Sequence, residues 1–135
     1  MFFKIDSAGD VPIYEQLIRQ VKLAVADGLL SGGQRVPSVR QLANELAINP
    51  NTIARAYQQL QADGVLESLR GRGMLVRRDA AEGCRQARNT MVAEAVRRAL
   101  ADALAGGMTA DELREVFEAE LESQSRSREQ AAAPP

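Results

Sequence analysis

Two short apolar stripes sit almost back to back in VPSVRQLANELAINPNTIARAYQQL, the stretch from Val36 to Leu60. Val39, Leu42, Ala43 and Leu46 recur at helical spacing, and so do Ile53, Ala56, Tyr57 and Leu60. Ser38, with Gln41 three residues on, has the capping-box pattern ahead of the first stripe. Asn49 is a natural cap for the second, with Pro50 suited to its first helical position. Helices this short are stable only if one face is buried. With a connection of about three residues they cannot lie side by side, so they are expected to cross steeply over a third helix. That crossing leaves the start of the second one open to solvent.

The third helix is legible in VPIYEQLIRQVKLAVADGLLSGG. It should start at Pro12 or Ile13, bury Leu17, Ile18, Val21 and Val25 together with Tyr14 and Ala24, and stop at the glycines from Gly28. After Asp63-Gly64 the period changes. GVLESLRGRGMLV reads as two strands, about Val65–Leu69 and Met74–Arg77, joined across RGRG, where two glycines permit a tight turn. Three helices and a hairpin make a mainly α winged helix-turn-helix, expected over residues 1–78. Apolar residues make up 45% of the chain but aromatics only 4%, so Leu, Val, Ile and Ala must build the core.

RRDAAEGCRQ is polar and is expected to be a linker between domains. Two further helices are predicted beyond it, from about Arg88 to Ala105 and, after Gly106-Gly107 and a Thr109/Glu112 capping box, to about Leu121. This segment, residues 79–122, is too small to bury a core alone. Its apolar positions Val92, Val96, Ala99, Leu100, Ala103, Leu113, Val116 and Phe117 are therefore expected to pair with a second copy, giving a homodimer, the alternative being that they pack back onto their own winged domain. Residues 123–135, SQSRSREQAAAPP, carry no apolar pattern and are expected to be disordered.

Charge divides along the same line. Residues 1–78 hold ten Lys/Arg and seven Asp/Glu, whereas residues 79–135 hold seven and eleven. No carboxylate occurs between Glu45 and Asp63. Asn51, Thr52 and Arg55 should lie on the outer face of the helix that Asn49 begins. Asn and Arg can make paired hydrogen bonds to base edges in the major groove, and Thr can bond a base or a phosphate. The dipole at that helix start favours a phosphate oxygen. Arg40 is placed to touch the DNA backbone, and Arg70 and Arg72 ride on a narrow tip that fits a minor groove. The expected partner is a double-stranded DNA operator, palindromic to match a dimer. The competing reading is a winged-helix protein-interaction module without DNA readout.

Other chemistries find little support. His is absent and Cys84 is the lone cysteine, which removes a His/Cys zinc site and the commonest general base; Cys84 is expected to be an incidental thiol in the linker. No nucleophile–base pair or phosphate loop appears, so neither an enzyme nor a cofactor is expected. No apolar run approaches a membrane span and the start lacks a signal-peptide pattern, so a cytoplasmic location is expected. Any effector is expected to be small, bound at the dimer interface or the domain junction, or absent altogether.

The run from Pro37 to Val76, with PSVRQLA, NPNTIARAYQQL, DGVLES and GRGMLV, resembles the DNA-binding domain of GntR-type bacterial regulators, and NPNTIARAYQ with the short C-terminal part points to the YtrA subfamily. The resemblance implies a repressor or other regulator that binds DNA as a homodimer. It places DNA contacts on Arg40, on Asn49, Pro50, Asn51 and Thr52, on Arg55, and on Arg70, Gly71, Arg72 and Gly73. Leu75 stands where the wing strand often carries an aromatic residue. Pro50 stands where several relatives outside the subfamily carry arginine, so their base preference does not transfer.

Overall fold

The computed structural model describes residues 3–132. The chain divides into two compact units, Met1–Met91 and Val92–Pro135. In the first, α1 (Ile13–Asp27), α2 (Val39–Leu46) and α3 (Pro50–Ala62) precede an antiparallel hairpin of β1 (Leu66–Leu69) and β2 (Gly73–Val76). Helix α4 (Ala80–Ala105) begins in the first unit and ends in the second, which also holds α5 (Ala110–Ala132).

Helices α2 and α3 start where local chemistry dictates. The Ser38 hydroxyl accepts the Gln41 N–H, and the Gln41 side chain accepts the Ser38 N–H, a complete capping box on α2. Helix α2 ends on Ala47, which adopts the left-handed conformation at φ 53°. That bend reverses the chain within two residues and lets the Asn49 side chain cap α3. The inward faces of α1 and α3 meet in one core: Leu17, Val21 and Val25 against Ile53, Ala56, Tyr57 and Leu60, closed by Leu42, Val65, Leu66 and Val76. All four predicted inward residues of α3 are buried. Burying a Leu or Ile side chain contributes roughly 1.5–3 kcal/mol, so these helices are held by packing and not by propensity.

The hairpin is pinned at its second strand. Val36 and Val76 donate backbone N–H bonds to Met74 and Gln34, each 2.9 Å long, so the α1–α2 connection adds a partial third strand. At the tip Arg72 N–H bonds the Leu69 carbonyl at 2.9 Å, and Gly71 and Gly73 both sit at φ 81°, a conformation a side chain would strain. At the other end of the unit two glutamines of α1 act as a substitute strand. Gln16 and Gln20 each bond both the N–H and the carbonyl of one residue in the leading segment, Asp6 and Lys4 respectively.

The stretch expected to be a polar linker differs from expectation. Helix α4 starts at Ala80, eight residues early, because Ala80 and Cys84 lie one turn apart and both pack into the core. Cys84 is 1% exposed, so it is a buried core residue and not a linker thiol. Burial pushes that thiol up in pKa, against a smaller lowering by Lys22. The tail also differs: α5 continues past Leu121 to Ala132, where disorder was expected from residue 123. Ala, Glu, Gln and Arg favour helix without burial, and an Arg126–Glu122 pair of 3.6 Å spans one turn. Residues 133–135 of that expected tail lie outside the described residues.

Candidate nucleic-acid interface

The open end of α3 is built by its cap. Asn49 Oδ1 accepts the Asn51 N–H at 2.9 Å, while the Asn49 carbonyl accepts from Thr52 at 3.0 Å and Ile53 at 3.4 Å. Pro50 has no N–H to offer. The N–H groups of Asn51, Thr52 and Ile53 are thus already occupied. The helix start retains its dipole, but its hydrogen-bonding capacity towards a ligand resides in side chains. Asn49, Pro50 and Asn51 are exposed, Thr52 is half-buried, and Arg55 lies exposed one turn further on. Tyr57 faces inward, and its hydroxyl donates to the Pro37 carbonyl. Its ring is therefore a core element of α3 and not a surface for stacking bases.

Arg40 is exposed on the first turn of α2, and Arg70, Gly71, Arg72 and Gly73 are all exposed at the hairpin tip. These side chains occupy three separate places in the fold, namely the start of α2, the start of α3 and the wing. Among the described residues, none of Arg40, Arg55, Arg70 or Arg72 forms a salt bridge. Arg19, Arg35 and Arg78 form none either, whereas two ion pairs build a cluster elsewhere in the first unit. Lys22 and Asp63 pair at 2.9 Å, and Arg77 grips Asp79 through two bonds of 3.0 Å, around a cavity of about 320 Å³. Sequence reasoning did not foresee that cluster, because its members come from α1, the end of α3 and the connection between β2 and α4.

It also missed Tyr14. The Arg55 guanidinium carbon lies 3.8 Å from the centroid of the Tyr14 ring. Tyr14 had been counted only as part of the apolar stripe of α1. Its half-buried ring does pack on the core, with the remaining face turned to the arginine.

In the second unit the only buried residue among those described is Leu113. Leu100 and Ala103 are half-buried and Ala99 is exposed. Val92, Val96, Val116 and Phe117 are 55%, 37%, 49% and 37% exposed. Val96, Leu100, Leu104, Leu113 and Phe117 line a shallow apolar groove. Among the described residues no cluster of metal-binding side chains occurs, and no helix is long and apolar enough to cross a membrane.

Comparison with known proteins agrees with this architecture. Residues 13–76 match the family described as "Bacterial regulatory proteins, gntR family". The chain is 37% identical over 112 residues to the HTH-type transcriptional repressor YtrA of Bacillus subtilis, covering 83% of this chain and 86% of that one. Among solved structures, a transcriptional regulator from Oenococcus oeni superposes with a TM-score of 0.67 at 28% identity, over 89% of this chain and 99% of the other. YtrA from Sulfolobus acidocaldarius, a GntR-family transcription factor, superposes at 0.55 and 27% identity, over 90% and 97%. The winged helix-turn-helix built from Ile13 to Val76 is the family's hallmark region in this chain, which belongs to the GntR family of DNA-binding bacterial transcriptional regulators.

Proposed function

We propose that this regulator reads a palindromic operator as a homodimer and represses by occluding the DNA it covers. In this reading α3 enters the major groove, where Asn51 and Arg55 bond base edges while Thr52 and Asn49 touch base or phosphate. Arg40 contacts the backbone beside that groove. The wing tip, Arg70 to Gly73, enters the neighbouring minor groove. The apolar faces of α4 and α5 join two copies, and their spacing sets the separation of half-sites. DNA of a bacterial cell lies in the cytoplasm, which is where such a protein acts.

The observation that carries this reading is the state of the α3 start. The N–H groups of Asn51, Thr52 and Ile53 are satisfied internally, the exposed side chains of this turn are uncharged or cationic, and among the described residues Arg40, Arg55, Arg70 and Arg72 form no salt bridge. Phosphates would neutralise those arginines and release counterions, which favours a nucleic-acid partner. The repressor name of the Bacillus subtilis relative supports the direction of control.

Selection of bound duplexes from a random pool, at fixed salt, tests the whole reading. The expected product is an inverted repeat whose affinity falls steeply as salt rises. A pool that shows no enrichment would favour a protein-interaction module. An enriched single half-site would remove the dimer from the reading and keep the groove.

A further inference from the structure

Arg55 is exposed and, among the described residues, has no hydrogen-bond or salt-bridge partner. A long side chain in that state ordinarily samples many rotamers and loses that freedom when it docks. Here it is already collected, because its guanidinium carbon stands 3.8 Å from the Tyr14 ring centroid, at stacking distance. The ring is itself fixed, since Tyr14 is half-buried and packs against the core that α1 shares with α3.

We propose that Tyr14 is a positioning residue for DNA readout: its ring holds the Arg55 guanidinium by one face, so that the in-plane N–H groups are presented to a base edge before DNA arrives. The inference rests on the groove reading of Arg55 given above. It makes α1, a helix with no predicted DNA contact of its own, a determinant of specificity. A phenyl ring suffices for the role and an aliphatic side chain does not, because only a π face attracts the cation.

The test is a double-mutant cycle on the duplex that the full chain selects from a random pool, titrated at one salt beside a scrambled duplex. Tyr14→Leu should weaken cognate binding roughly two- to five-fold for each half-site engaged. Binding to the scrambled duplex should stay at the wild-type value, and Tyr14→Phe should behave as wild type on both. In an Arg55→Ala background, Tyr14→Leu should add nothing. If Tyr14→Leu misfolds by circular dichroism, Tyr14→Met fills the same apolar site and takes its place in the cycle. The inference is overturned if the aliphatic variant keeps the wild-type ratio of cognate to scrambled binding, or if its loss adds in full to that of Arg55→Ala. Should Arg55→Ala alone keep that ratio, the groove reading itself fails and takes the role of Tyr14 with it.

Discussion

The Tyr57 hydroxyl of α3 donates a 2.7 Å hydrogen bond to the Pro37 carbonyl, the residue just ahead of the α2 cap. The bond ties the middle of one helix to the entry of the other and so fixes the angle at which they cross. Tyr57 is otherwise core, 3% exposed. Burial, with a further push from the Glu45 charge, raises its phenol well above the ordinary value.

Tyr57→Phe should therefore lower stability by about 1 kcal/mol at neutral pH, the net worth of a hydrogen bond in such a setting. For a domain of this size that is a fall of roughly 4–8 °C in the thermal midpoint. A phenol raised in the folded state stabilises below its ordinary pKa of about 10, and that contribution is lost as pH rises beyond it. Wild type should lose midpoint above about pH 10 for this reason, and Tyr57→Phe should lose less. An equal alkaline fall in both proteins would show that Tyr57 is not the titrating group.

Asp63 closes α3 and accepts from Lys22 and Gln59, each at 2.9 Å. Burial works to raise its carboxyl, but the two hydrogen bonds and the Lys22 charge outweigh that and hold it below the usual carboxylate range. A depressed carboxylate stabilises the fold above its unfolded value of about 4, and that stabilisation is lost as pH falls through the lower folded value. Asp63→Asn should thus melt earlier than wild type at pH 7 and converge with it under acid. Melting curves at several pH values decide this: a gap that stays constant down to pH 2 would contradict the assignment.

Most of the fold was legible because its signals are local. Ser38 with Gln41 and Asn49 with Pro50 announce helix starts in four residues, and the α3 stripe repeats without interruption. What escaped is non-local. The early start of α4 depends on Ala80 and Cys84 finding a hydrophobic surface made by other elements, and their own neighbours are polar. The same holds for the candidate interface. Asn51 and Arg55 could be placed on an outer face by spacing alone, whereas the stack of Arg55 on Tyr14 joins residues 41 positions apart, across two helices. The occupied N–H groups of Asn51, Thr52 and Ile53 required coordinates, since a cap predicts the bond from one N–H but not the fate of the next two.

Substitutions at the interface should separate by kind. Arg55→Ala and Asn51→Ala remove side chains that bond base edges in the proposed complex, so each should cost about ten-fold or more on the selected duplex and little on a scrambled one. Arg72→Ala should weaken both duplexes alike and reduce the slope of log affinity against log salt by about 1. Gel-shift titrations at three salt concentrations report both quantities. An Arg72→Ala variant with an unchanged salt slope would take the wing off the phosphate backbone.

The second unit sets apart residues that hold it together from residues free to hold a partner. Leu113 is its one buried side chain among those described, so Leu113→Asp should unfold the turn between α4 and α5 and cut helicity. Val116 and Phe117 of α5 are 49% and 37% exposed, and covering that remainder with a second copy is the simplest way to remove apolar surface from water. The double variant Val116→Asp/Phe117→Asp places two charges on the proposed interface while leaving the buried Leu113 in place. It should therefore keep near wild-type helicity and sediment as a monomer. A monomer retains one groove-reading end but loses the effective concentration that linkage gives the second, so binding to a two-half-site duplex should fall roughly 10²-fold or more while binding to an isolated half-site holds. If the double variant sediments with the mass of the wild type, this face is not the one that joins two copies, and the half-site spacing must be set by some other surface.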